Sequence, residues 1–253
     1  MVMLDVSTSM KVQDIKRGAE SYSRLESAKS LVSRLITEQA NNRYGLGIFA
    51  GEAQGVSPIT SDHNVFLTFL DGVDDKNLQT QTDLLAALRL GTDRFDPEDE
   101  SAKVLLIISD GGDEKIKEKL SSNKETLKEN KILPLMIGVG TKKGPIPLGK
   151  DPFGSPIYRQ FEKTVTSSYF PALQQLAKEL DGYYSHIESV KDLTKVYKTI
   201  NSLEKKAIEQ SSTEKRSLVR ALTLILLLFI VYLLISLKII KYGENKRTDT
   251  NTL

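Results

Sequence analysis

The sequence predicts a three-layer α/β domain, built on a doubly wound and mostly parallel sheet with one antiparallel edge strand, followed by a C-terminal transmembrane helix. Three observations carry this. Two uninterrupted apolar runs, Lys103–Ser109 and Ile132–Val139, read as strands buried on both faces, as parallel strands are. Segments with apolar residues at 3.6-residue spacing alternate with the strands, so helices should cover both faces of the sheet. Near the C-terminus, Ala221 to Leu237 contains no charged residue and is apolar on every helical face.

The chain opens on an apolar run, Val2-Met3-Leu4, that ends in Asp5-x-Ser7-x-Ser9 and reads as a first strand with oxygen-bearing side chains at its tip. Residues 11–23 are polar and without a clear period, which predicts a loop over the top of the sheet. From Arg24 to Ile36, Leu25, Ala28, Leu31, Val32, Leu35 and Ile36 share one helical face. Tyr44–Ala50 and Gly55–Thr60 lie a few residues apart and read as an antiparallel pair, with Pro58 marking an edge strand because it cannot donate to a ladder.

Asp62 is placed to cap a helix carrying Val65, Phe66, Phe69 and Leu70, and a second helix from about Thr82 to Arg94 carries Leu84, Leu85, Leu88 and Phe95. After the strand 103–109 comes a charged helix from about Glu114 to Glu129. The strand Ile132–Val139, the helix Phe170–Leu180, a last strand Tyr183–Ile187 and the helix Val190–Leu203 complete the alternation. Residues 141–168 interrupt it and, being rich in Gly, Pro and Lys, read as an inserted loop or hairpin. The expected organisation is a domain over 1–203, a linker over 204–217, a transmembrane helix over 218–240 and a polar tail over 241–253. The charge-free run spans about 25 Å as a helix, and about 30 Å if Lys238 snorkels.

Composition excludes several chemistries. There is no cysteine, hence no disulfide, thiolate metal site or cysteine nucleophile. His63 and His186 are the only histidines, too few for a histidine-rich metal site, and both are expected in plain surface roles. A net charge of +2 gives no reason to expect nucleic acid. Gly144-Pro-Ile-Pro-Leu-Gly149-Lys150 matches most of a phosphate-binding loop. Its two prolines remove backbone donors, Asp151 stands where a hydroxyl is needed, and Pro152 and Gly154 oppose the helix that should follow. Because the first residues already form a strand, no signal peptide fits upstream of it, so either the chain begins here or its true N-terminus lies further upstream.

Alternate residues of an extended segment point the same way, so Asp5, Ser7 and Ser9 can converge. A carboxylate and two hydroxyls offer only oxygen, which suits magnesium, manganese or calcium rather than zinc. The plainer reading of Asp-x-Ser is a turn or helix cap. In an open α/β sheet ligands bind beyond the carboxyl ends of strands where the order reverses. If the strand 103–109 lies beside the first strand there, Asp110 joins Asp5, Ser7 and Ser9.

These residues carry a resemblance. Asp5-x-Ser7-x-Ser9, the threonine of Gln79-Thr-Gln-Thr82-Asp-Leu, and Ile108-Ser-Asp110-Gly111 resemble the three parts of the metal-ion-dependent adhesion site of von Willebrand factor A domains, in order and spacing through residues 1–200. The resemblance implies that Ser7, Ser9 and Thr82 (in preference to Thr80) ligate a Mg2+ ion, with Mn2+ or Ca2+ as alternatives. Asp5 and Asp110 would hold the ion directly or through water. Arg24-Leu-Glu-Ser-Ala-Lys29, Gly47-Ile-Phe-Ala-Gly-Glu52 and Gly138-Val-Gly-Thr-x-x-Gly-Pro-Ile-Pro147 are similar to segments of the bacterial Bat (aerotolerance operon) membrane proteins. That group implies a domain outside the cytoplasm on the bacterial cell membrane, assembly with related A-domain proteins, and linkage to a MoxR-type AAA+ ATPase. As it stands, the sequence would instead make a tail-anchored protein facing the cytoplasm. Lysines and arginines on both sides of the apolar run leave orientation open.

The function expected is therefore a membrane-anchored, cation-dependent protein-binding module whose partner supplies an Asp or Glu, and not an enzyme. A metal-dependent hydrolase is the rival, but it needs a base or nucleophile beside the metal, and only Glu52, Asp83 and Asp113 lie near. A structural membrane scaffold that binds no metal is the third reading.

Overall fold

The computed structural model describes residues 1–18, 20–39, 41–74, 81–99, 101–111, 120–145, 147, 149–153, 156–157, 165–167, 170–203, 216, 220 and 222–227. Their organisation follows from the apolar runs. β1 (Val2–Asp5), β4 (Tyr44–Phe49), β5 (Ala53–Thr60), β6 (Lys103–Ser109), β7 (Ile132–Val139) and β12 (Tyr183–Ile187) form one sheet in the order β12-β7-β6-β1-β4-β5. Every neighbouring pair is parallel except β4 with β5, the antiparallel edge predicted from Pro58. Chain connections lead from β1 outward through β4 and from β6 outward through β7, so the order reverses between β1 and β6.

The helices fall on both faces as the alternation of inward side chains requires. Val2 and Leu4 of β1 and Leu106 and Ile108 of β6 join one core with α1 (Arg24–Glu38), α2 (His63–Gly72) and the helix over 190–203, here α6. Met3, Leu105 and Ile107 face the other way, into a second core with α3 (Leu84–Asp93), α4 (Leu120–Glu129) and α5 (Phe170–Glu179). This is the predicted three-layer arrangement. α1 is fixed at its start by a capping box in which Ser23 accepts from the Glu26 N–H and Glu26 accepts from the Ser23 N–H.

Four expectations need correction. Residues 11–23 are not a plain loop: a 3-10 turn over Thr8–Lys11 leads into a hairpin of β2 (Ile15–Arg17) and β3 (Glu20–Tyr22), because Val12 and Ile15 are buried and anchor it. Val65 and Phe69 of α2 are exposed, while Phe66 and Leu70 are buried and Leu67 packs half-buried against the core. His63 is not a bare surface residue, since its Nε2 meets the Asn42 carbonyl at 2.9 Å and its ring stands edge-on to Tyr44. His186 packs edge-on against Phe170 and is hydrogen-bonded to Tyr184 Oη through Nδ1.

The inserted segment contributes two short ribbons, β8 (Lys143–Pro145) with β11 (Val165–Ser167) and β9 (Gly149–Lys150) with β10 (Pro156–Ile157). Gly149 and Lys150 are thus strand residues, not the start of a helix. The chain divides into two units, 1–205 and 206–253. In the second, residues 222–227 are helical and exposed. Most of the expected transmembrane helix lies outside the described residues, and no helix among the described residues is long and apolar enough to cross a membrane.

Candidate metal centre

The site begins where β1 stops. Val6 N–H still bonds to the Phe49 carbonyl, extending the β1–β4 ladder by one residue, and the chain then curls into the 3-10 turn as Met10 N–H reaches the Ser7 carbonyl. The Asp5 side chain turns back to accept the Ser7 N–H through Oδ1 at 2.7 Å. The plain turn reading of Asp-x-Ser is therefore realised, and it places Ser7 Oγ 3.0 Å from Ser9 Oγ.

β6, beside β1, brings the second part. Ser9 Oγ donates over 3.0 Å to Asp110 Oδ1, 101 residues further along the chain, which closes a set of oxygens from Asp5 through Ser7 and Ser9 to Asp110. Asp5 and Ser7 are buried, Asp110 is 4% exposed, and Ser9 is half-buried. Thr82 is half-buried just before α3, and the adjacent Asp83 N–H bonds to the Ala50 carbonyl, immediately past the end of β4. The threonine segment is thereby tied to the carboxyl ends of the strands, where Asp5 and Asp110 lie. Thr80 and Asp113 fall outside the described residues. Asp83 accepts from the N–H groups of Leu85 and Ala86 and is the cap of α3.

Four residues that sequence reading did not assign complete the surroundings. Ser109 Oγ lies 2.5 Å from Asp5 Oδ2 and 2.6 Å from the Gly111 carbonyl. Arg24, wholly buried, donates from Nη1 to Asp110 Oδ2 at 2.5 Å and from Nε and Nη2 to Asp14, with Nη2 also reaching the Thr141 carbonyl. Asp14 accepts in addition from the N–H and hydroxyl of Thr141. Gly140, at φ +110, makes room: a Cβ there would lie 2.1 Å from Arg24 Nε. Arg24 carries one signal in the sequence: a basic residue in the first turn runs against the helix dipole and so asks for a local anionic partner.

Electrostatics follow from burial. The Asp5 carboxyl is pushed up to about 7 by desolvation first and the Asp110 charge second, against the lowering hydrogen bonds of Ser109 and Ser7. Desolvation also raises Asp110, although the Arg24 charge opposes it. Burial alone would lower the Arg24 guanidinium, but Asp14 and Asp110 hold it above its ordinary value. Two buried carboxylates with three hydroxyls nearby and no nitrogen or sulfur donor make a hard donor set, and this fits Mg2+, Mn2+ or Ca2+. Among the described residues no group of three or more His, Cys, Asp or Glu side chains could hold a metal, so the hydroxyls are essential to such a centre.

The sequence profile of the von Willebrand factor type A domain matches residues 1–113, a stretch that contains all five candidate ligands. An aerotolerance-related membrane protein from Bacteroides fragilis is 30% identical in its crystal structure, with 81% of this chain and 98% of that chain covered and a TM-score of 0.67. The chain belongs to the von Willebrand factor type A family. Within it, this A domain resembles Bat proteins: BatB from Bacteroides thetaiotaomicron is 28% identical over 81% of this chain and 97% of that one, with a TM-score of 0.64. An uncharacterized protein of Borreliella burgdorferi is 22% identical over 246 residues, covering 91% of this chain and 67% of that protein.

Proposed function

We propose that this A domain binds a divalent cation, Mg2+ foremost, at Asp5, Ser7, Ser9, Thr82 and Asp110, and through it the carboxylate of an Asp or Glu on a protein partner. The observation that carries this reading is the convergence of the Asp5–Ser7–Ser9 turn on Asp110 at the point where the strand order reverses. Bound there, the ion would supply a positive centre able to accept one further oxygen. The chain's residues orient that centre: the Asp5 turn fixes both serines, and Arg24 fixes Asp110.

The apolar run within 218–240 would anchor the protein in the bacterial cell membrane with the A domain outside the cytoplasm. Likeness to the Bat proteins supports assembly with other A-domain proteins and a functional link to a MoxR-type ATPase. We read the module as a binder and not an enzyme. His63 sits near the amino ends of the parallel strands and His186 two strands from β6, so neither is placed as a base. A metal-free scaffold has one observation in its favour, since all four carboxylate oxygens of Asp5 and Asp110 accept a hydrogen bond from the protein.

Calorimetric titration of the full-length protein in detergent with Mg2+ separates these readings. Saturable binding lost in Ser7→Ala and Asp110→Ala and weakened in Thr82→Ala is expected; folded protein that binds no cation would leave the scaffold reading.

A further inference from the structure

Arg24 is a buried cation that already pairs with an acid of the candidate centre. It is 0% exposed, so water does not screen it, and its guanidinium divides between two acids: Nη1 on Asp110 Oδ2, Nε and Nη2 on Asp14. It also ties Asp110 to two segments beside the centre. Asp14 belongs to the segment entering the β2–β3 hairpin, Asp110 to the end of β6, and Thr141 follows β7, while Arg24 itself opens α1. Gly140 and the double acceptance of Thr141 by Asp14 are arranged around this one side chain.

We propose that Arg24 is a resident counter-ion that shares Asp110 with the divalent cation and so sets how weakly the centre holds it. The inference rests on the cation-binding reading above. Physically, a guanidinium one hydrogen bond from a ligand carboxylate withdraws charge from it and occupies one of its two oxygens. A divalent ion must then bind beside a buried positive charge at low effective dielectric, which lowers its affinity. In return the apo domain keeps Asp110 paired, where an unpaired buried carboxylate would destabilise it. Weak intrinsic affinity makes occupancy depend on the partner, because the partner's carboxylate adds the charge that Arg24 cancels. A purely structural Arg24 would give the opposite sign, since loosening Asp110 can only weaken binding.

The test is Mg2+ and Mn2+ titration of the full-length protein in detergent, with thermal unfolding measured with and without each ion. Arg24→Gln is expected to melt lower without metal, to gain more from Mg2+ than wild type, and to bind it about tenfold tighter or more. The double variant Arg24→Gln/Asp14→Asn removes one charge of each sign, so it keeps the buried balance and decides the matter if the single variant does not fold. It too is expected to bind tighter than wild type, by a few-fold, because no guanidinium then draws charge from Asp110 or occupies its Oδ2. Equal or weaker binding in a folded variant overturns the proposal while leaving the cation site standing. Cation binding by neither wild type nor variants overturns both.

Discussion

Ser109 Oγ lies 2.5 Å from Asp5 Oδ2, so a hydroxyl at the end of β6 holds the carboxylate at the end of β1 across the boundary where the sheet reverses direction. Both residues are fully buried. Removing the hydroxyl leaves a carboxylate oxygen without its donor, and Ser109→Ala is expected to cost about 1.5–3 kcal/mol at pH 8, read by urea denaturation.

Asp5 also sets a pH dependence. Its folded-state value, raised from 3.8 to about 7, means that the folded domain binds a proton the unfolded chain has released. This contribution to stability is fully present below pH 3.8, is lost progressively as pH rises to about 7, and is flat above that. Asp110 is shifted in the same direction and adds to the slope. Urea midpoints in a metal chelator should therefore fall between pH 5 and pH 8. Asp5→Asn, which mimics the protonated form, should flatten that fall.

Gly140 has no room for a side chain. Its φ of +110 and the 2.1 Å approach to Arg24 Nε mean that Gly140→Ala both strains the backbone and displaces a buried guanidinium. A loss of about 2–4 kcal/mol is expected, measured by denaturant unfolding, with the Arg24–Asp14 pair as the casualty.

Asp83 is the acid nearest the threonine segment, yet both of its bonds are those of a helix cap. Asp83→Ala should cost about 1 kcal/mol in denaturant unfolding. Mg2+ affinity should change less than in Thr82→Ala, which titration calorimetry would show.

Much of this was legible from periodicity. The two buried parallel strands, the antiparallel edge at Pro58, the capped α2 and the pairing of Asp5, Ser7 and Ser9 with Asp110 all depend on local pattern plus one topological rule, and all are found. The β2–β3 hairpin was not legible because its register is set by three-residue strands, too short for alternation to rise above noise. The outward turn of Val65 and Phe69 was hidden for a different reason: five apolar residues in one helix, Val65, Phe66, Leu67, Phe69 and Leu70, span more of its surface than the core can cover. Arg24 escaped because its partners, Asp14, Asp110 and Thr141, are brought together by tertiary contacts up to 117 residues apart in sequence.

α1 and α6 run side by side in the same direction: Arg34 meets Thr194, and further along both Gln39, the C-cap of α1, meets Asn201. Since α1 starts beside Asp110 and finishes just before β4 begins, α6 likewise travels from the ligand pole of the A domain to its opposite pole. Leu203, where the described part of α6 ends, therefore lies at the pole opposite Asp110. The last residues of α6 thus stand about 20 Å, one helix length, from the pole that carries Ser7 and Ser9.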